Sequence, residues 1–379
     1  MPDEPQRPSI IGTFGVAIVA AVALTGLVGG VAAARCSSAP TKPPKSAPLA
    51  RLPVARVRGV TYYQERPFVD YADDIVKALP RLKATGFNTV WLVLPWYEFE
   101  PKPLADPEVY DDASFAALRT VLAALRAQRL HALIGLNYLG QGWSPAGIDA
   151  CTWVENPAME GAFESYVRGF LTRIDAYHDV PYILFFTETA QLCESHPIAH
   201  ATELAARLRK TLGSIPARLP AKLRSDFRFG YHDNTLLSLG WAGGASPIAK
   251  PDPFDFLSMS VYGLEQLHDA AIVDDLNGRV ARFRAFDRKA PLLFGEVGAS
   301  RCDGGVANQV RVERSILGYA VRHGIGFNVW HWRPVADEDT CKNFAFRALA
   351  LTQAGGTLNE TGRAVHQILE QAANPPTKG

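Results

Sequence analysis

Two glutamates sit where a charged side chain is costly. Glu188 ends the run Tyr182-Ile183-Leu184-Phe185-Phe186-Thr187, and Glu296 ends Leu292-Leu293-Phe294-Gly295. An acid at the end of a buried apolar run is unfavourable unless it is paired or used. Two carboxylates facing one cleft suit the cleavage of an acetal C–O bond. One protonates the leaving oxygen while the other attacks the carbon. The division requires surroundings that keep one protonated and the other ionised. The competing reading is a pair of structural ion pairs. Asn137, Thr187, His232, Tyr262, Trp330 and Trp332 fall at the ends of similar runs, and Trp96 follows one. Indoles stack on the apolar C–H faces of sugars, so a carbohydrate groove would use such a set. Of the seven tryptophans, Trp91 reads as core, while Trp96, Trp143, Trp153, Trp241, Trp330 and Trp332 follow or close apolar runs. Loop packing is the plain alternative for some of these, and a core tyrosine is the alternative for Tyr262.

The elements that must carry these residues alternate short apolar runs with helical patterns, the signature of a parallel sheet with crossover helices. The expected strands are Arg58–Tyr63, Asn88–Leu94, His131–Tyr138, Tyr182–Glu188, Asp226–His232, Phe256–Tyr262, Leu292–Glu296 and Gly326–Trp332. Helices are expected over Tyr71–Thr85 with Gly86 as the stop, Ser114–Gln128, Met159–Tyr177, Ala199–Leu212 and Asn359–Ala372. Eight strand–helix units predict an α/β fold, a closed (β/α)8 TIM barrel. A doubly wound open sheet is the competitor, but no G-x-G-x-x-G follows a strand, so its dinucleotide-binding form lacks a signature. Barrel enzymes place their sites at the C-terminal ends of the strands, which is where the residues above fall.

Glutamates ending strands four and seven resemble those of clan A glycoside hydrolases, the retaining barrel enzymes that include cellulase-like and mannanase-like family 5. The resemblance spans Arg58 to about Glu370. It implies Glu188 as acid/base and Glu296 as nucleophile. Tyr262 resembles the tyrosine that hydrogen-bonds the nucleophile, and Trp330 and Trp332 resemble the tryptophan flooring the sugar subsite. His232 ends strand five, where several families keep an aromatic or a histidine. Two departures imply a family divergent from family 5. Thr187 replaces the asparagine that binds the sugar 2-hydroxyl, with a shorter reach and no amide donor–acceptor pair. No arginine ends strand two. The expected activity is retaining cleavage of an extracytoplasmic polysaccharide or oligosaccharide, with no metal and no organic cofactor. Thr187 also motivates a second reading, a catalytically inactive barrel that binds glycans. A third, non-sugar barrel chemistry, stays open because a fold does not fix function.

The flanks bound location and partners. Ile10–Ala34 is an uncharged apolar run ending in Ala32-Ala33-Ala34. It is long enough for a membrane-crossing helix, and its end also fits a signal cleavage site. Residues 1–35 are therefore expected to be a signal peptide or an anchor, 36–53 a Pro-rich flexible linker, and 54–379 the barrel. A secreted or membrane-anchored monomer is expected, touching membrane only through that first segment. The formal net charge of +1 argues against nucleic acid, which demands a basic surface. Cys151, Cys193, Cys302 and Cys341 would each follow a strand. Adjacent loops would pair Cys151 with Cys193 and Cys302 with Cys341, buried free thiols being the alternative. His196 and His200 are four apart but lack a carboxylate partner, so surface histidines are expected. Glu98, Glu100, Asp233 and Asn234 follow strands and could bind hydroxyls, loop solvation being the default.

Overall fold

The computed structural model of the protein describes residues 47–64, 66–137, 157–187, 210–233, 254–286, 289–334, 341 and 349–373. Eight parallel strands close on themselves in sequence order. They are β1 (Arg58–Thr61), β2 (Thr89–Pro95), β3 (His131–Asn137), β4 (Pro181–Thr187), β5 (Phe229–Asp233), β6 (Phe256–Val261), β7 (Leu292–Val297) and β8 (Gly326–Val329). The long crossover helices described are α1 (Phe68–Thr85), α2 (Asp112–Ala127), α3 (Pro157–Ile174), α4 (Asp269–Phe286), α5 (Gly305–Arg322) and α6 (Glu360–Ala373).

Alternation along the strands divides the core in two. Trp91, Val93, Leu133, Tyr182, Leu184, Phe256 and Leu293 fill the lumen. Their neighbours in sequence, such as Val90, Leu92, Ile134, Ile183, Phe185 and Phe294, belong to the cluster shared with the helices. Strands buried on both faces explain why the runs read as continuously apolar.

Local chemistry sets the helix ends. Asp111 accepts from the backbone N–H of Ser114 at 2.7 Å and caps α2. Gly86 ends α1 with φ of 102°, a left-handed cap open to glycine. Glu98, in the single turn Trp96–Phe99 after β2, accepts from Phe68 N–H at 2.7 Å at the start of α1.

Three expectations need correction. β5 begins at Phe229, because residues Ala221–Asp226 form a short helix after Pro220. β8 stops at Val329, and the Trp330–His331 peptide that follows it is cis. Residues 47–53 are not free linker. Leu49 N–H donates to Asp179 at 2.6 Å, Arg51 donates to Ser225 O at 2.8 Å, and Leu52 packs against the lumen cluster.

Cys302 and Cys341 form a disulfide with a Cα–Cα distance of 5.8 Å, as expected from adjacent loops after β7 and β8. Cys151 and Cys193 lie outside the described residues, as does the apolar run Ile10–Ala34. Among the described residues no helix is long and apolar enough to cross a membrane.

Candidate active site

The site is assembled from β5, β6 and β7 at the C-terminal end of the barrel. On β7 the register shifts. Met259 pairs with Phe294, but the next residue, Ser260, pairs with Glu296. On the other side Phe294 pairs with Phe327 and Val297 with Val329. Both neighbours therefore see one surplus residue in β7, a β-bulge, a device that re-aims side chains near active sites. Simple alternation from Leu293 inward would turn Gly295 in and Glu296 out. The bulge instead sets Glu296 beside Ser260 and Tyr262, whose hydroxyls each donate to Glu296 Oε2 at 3.2 Å. Glu296 is 5% exposed. Both donors thus meet the same oxygen of a buried carboxyl group.

Beneath this lies His232, fully buried, with Nδ1 2.8 Å from Ser258 Oγ and Nε2 3.1 Å from Ser260 Oγ. Burial pushes its pKa down to about 3, so the imidazole is neutral. His232 thus sits one layer below the mouth, and the structure gives it serine partners rather than the substrate-facing position expected from its place at a strand end. Its ring packs edge-on against Trp91 at 5.5 Å, deep in the lumen.

The expected aromatic residues separate. Trp330 is half-buried at the mouth, where it stacks on Tyr63 with ring centroids 5.9 Å apart. These residues follow β8 and β1, which are neighbours only because the barrel closes. Trp332 is not beside it. It is 1% exposed, meets Phe87 edge-on at 6.2 Å, and belongs to the outer core. Trp96 is likewise core, packed on Phe163 and Tyr166 with its indole N–H donating to Glu100. Both leave the groove set, because the β-strand alternation that would align them with Trp330 or the mouth has already ended at their positions.

Asn137 and Thr187 close β3 and β4, so their backbones reach the same end of the barrel. Glu188 follows Thr187 directly and lies outside the described residues, as do Trp143, Trp153, Trp241, His196, His200 and Asn234. Glu98 and Glu100 serve the fold. Glu98 caps α1 as above, with a pKa raised to about 7 chiefly by burial. Glu100 accepts from Trp96 and from Glu108 N–H. Asn359, in the tripeptide Asn359-Glu360-Thr361, uses both ends of its amide, donating to Ala350 O and accepting from Gly362 N–H.

Among the described residues, Asp175, His178 and Asp226 lie near enough to share a cation, beside the starts of β4 and β5. Lys222 Nζ bridges both carboxylates at 2.7 and 2.8 Å and already supplies the positive charge there. A groove of about 500 Å³ between α4 and α5, lined by Asp269, Arg311, Arg314 and Arg322, shares no residue with the mouth.

Sequence reasoning missed Ser258, Ser260 and Tyr63. The Ser-x-Ser-x-Tyr alternation of Ser258, Ser260 and Tyr262 was a usable signal, since polar residues two apart in a buried strand share one face.

No family profile and no curated sequence matches this chain. Its fold matches solved structures. The exo-β-1,4-mannosidase Op5Man5 from Opitutaceae bacterium strain TAV5 is 20% identical with a TM-score of 0.61, covering 84% of this chain and 60% of that one. A GH5_18 protein from Streptomyces cattleya in complex with GlcNAc is 13% identical with a TM-score of 0.65, covering 85% and 81%. A family 39 glycoside hydrolase from Bacteroides cellulosilyticus WH2 is 13% identical with a TM-score of 0.57, covering 83% and 64%. The chain therefore spans less than two thirds of the mannosidase and of the family 39 enzyme. What these likenesses establish is the (β/α)8 fold, which this chain has in common with these solved glycoside hydrolase structures.

Proposed function

We propose that this chain is a retaining glycoside hydrolase acting outside the cytoplasm on a β-linked oligosaccharide or polysaccharide. The observation that carries the reading is the bulge in β7. It turns Glu296 into the barrel mouth, under two hydroxyl donors and on the same end of the barrel as the Tyr63–Trp330 pair. Glu296 attacks the anomeric carbon, and Tyr262 and Ser260 hold the oxygen they bind while the other reaches the substrate. Glu188, directly after β4, protonates the leaving oxygen and then activates water. Retention requires the two carboxyl groups to stand about 5–5.5 Å apart, and a separation of ~6.5–9.5 Å would mean inversion. The Tyr63–Trp330 pair offers an apolar floor for a sugar ring. Thr187, in place of an amide, leaves the C2 hydroxyl less strongly specified. Aryl β-mannosides, β-glucosides and β-N-acetylglucosaminides are therefore the first substrates to compare. The export reading draws support from the Cys302–Cys341 disulfide, a bond that persists in oxidising compartments.

The test is covalent trapping. A 2-fluoro sugar with an activated leaving group should add its glycosyl mass to the peptide carrying Glu296, and Glu296→Gln should abolish both labelling and turnover. Negligible turnover by wild type and Glu296→Gln alike on every glycan, with retained glycan binding, would replace the enzyme by a glycan-binding barrel.

A further inference from the structure

The hydrogen bonds beneath Glu296 form a chain whose direction can be worked out atom by atom. We propose that His232 is a positioning residue for Glu296. It is a neutral imidazole protonated on Nε2 that transmits hydrogen-bond polarity from Ser258 through Ser260 to the carboxylate. The inference rests on Glu296 being an ionised nucleophile, as proposed above.

An ionised carboxylate can only accept. The contact of Ser260 Oγ with Glu296 Oε2 at 3.2 Å therefore consumes the one hydroxyl proton of Ser260. The contact of Ser260 Oγ with His232 Nε2 at 3.1 Å must then have Oγ accepting, which places the imidazole proton on Nε2. A neutral imidazole has one N–H, so Nδ1 presents a lone pair, and Ser258 Oγ donates to it at 2.8 Å. Each hydroxyl in the chain is polarised by the one before it, which strengthens the last donor in a low-dielectric interior. The chain adds no positive charge beside the carboxylate. A cation there would lower the electron density that a nucleophile needs, whereas neutral donors orient the group without neutralising it.

A second observation ties the relay to the bulge. Gly295 directly precedes Glu296. A β-carbon built on Gly295 would stand 2.0 Å from Ser258 Oγ and 2.7 Å from His232 Nδ1. The relay occupies the space that any side chain at 295 would need. The backbone that turns Glu296 inward and the hydrogen bonds that steady it are therefore packed against each other.

Nuclear magnetic resonance of the full chain labelled with [15N]histidine reads the tautomer directly. The His232 signals, assigned by their change in Ser258→Ala, should show a protonated Nε2 and a bare Nδ1 from pH 5 to 8. A protonated Nδ1, or an imidazolium in that range, overturns the proposal. Kinetics give the second arm. His232→Gln can donate to Ser260 and accept from Ser258, so it should keep kcat within a few-fold. His232→Leu should lose about tenfold or more in kcat with KM little changed. Equal losses in both variants would reduce His232 to packing and sink the relay. The two claims fail separately: a wrong tautomer with Glu296→Gln still inactive removes only the relay. An active Glu296→Gln removes the nucleophile and with it the premise.

Discussion

Glu296 reaches the barrel mouth because β7 carries one residue more than its neighbours, and its hydroxyl donors come from a strand that has no such surplus. Ser260 and Tyr262 stand two apart on β6 and just beyond it, so both point to one side, and both meet the same carboxylate oxygen. A hydrogen bond to a charged group contributes about 2 kcal/mol, so Tyr262→Phe should lower kcat/KM roughly thirtyfold. Ser260→Ala should cost a similar amount. Because the donors share one acceptor, the double variant should lose less than the product of the two single losses, measured as a coupling in a double-mutant cycle. Strict additivity would mean that the two hydroxyls do not act on a common group.

At the scale of elements, α5 grips the loop that follows β7. Ala299 N–H donates to Glu313 at 3.0 Å, and Ala299 O accepts from Gln309 at 2.7 Å, from residues four apart on one helix face. Thr361 of α6 donates in turn to Gln309 at 2.7 Å. Glu313 is fully buried, and burial raises its pKa from 4.5 to about 8. A carboxyl group whose pKa is higher in the folded state binds its proton more tightly there. Its contribution to stability is therefore complete below about pH 4.5 and is lost as pH rises through about 8. The thermal midpoint should fall across that window. Glu313→Gln, which keeps an acceptor for Ala299 N–H, should flatten the decline. An unchanged slope would show that Glu313 is not its source. The cap of α2 permits a simpler test: Asp111→Ala should destabilise the fold by about 1 kcal/mol in denaturant titration.

For the whole molecule, two features close the barrel at opposite ends. The Cys302–Cys341 disulfide joins the loops after β7 and β8 across 39 residues of sequence. The chain-entropy view gives such a loop about 4 kcal/mol. Cys302→Ser with Cys341→Ser should lower the thermal midpoint measured by calorimetry in the absence of reductant, and an unchanged midpoint would show that the bridge does not stabilise the fold. At the other end residues 49–52 strap the starts of the strands, through Leu49 on Asp179 and Leu52 against the lumen. A chain beginning at Val54 should be less stable than one beginning at Lys45 by on the order of 2–3 kcal/mol, the burial of two partly covered leucines.

The eight strands in their order, the Gly86 stop of α1 and the charge at the end of β7 were legible in the residues. Hydrophobic period, glycine at a left-handed cap and charge at the end of an apolar run are local properties, written into neighbouring side chains. The eightfold count likewise made closure economical. What the residues could not disclose depends on contacts between strands distant in sequence. The surplus residue in β7 is visible only against the registers of β6 and β8. Trp330 and Trp332 look equivalent in a string, yet β8 ends at Val329, so one stacks on Tyr63 and the other enters the outer core. Tyr63 becomes Trp330's partner only when β1 and β8 meet. The serines acquire a role because a buried, neutral His232 from β5 stands between them. Side-chain type is fixed by the chain, but the direction of a hydrogen bond is fixed by what stands opposite, and closure of the barrel decides that.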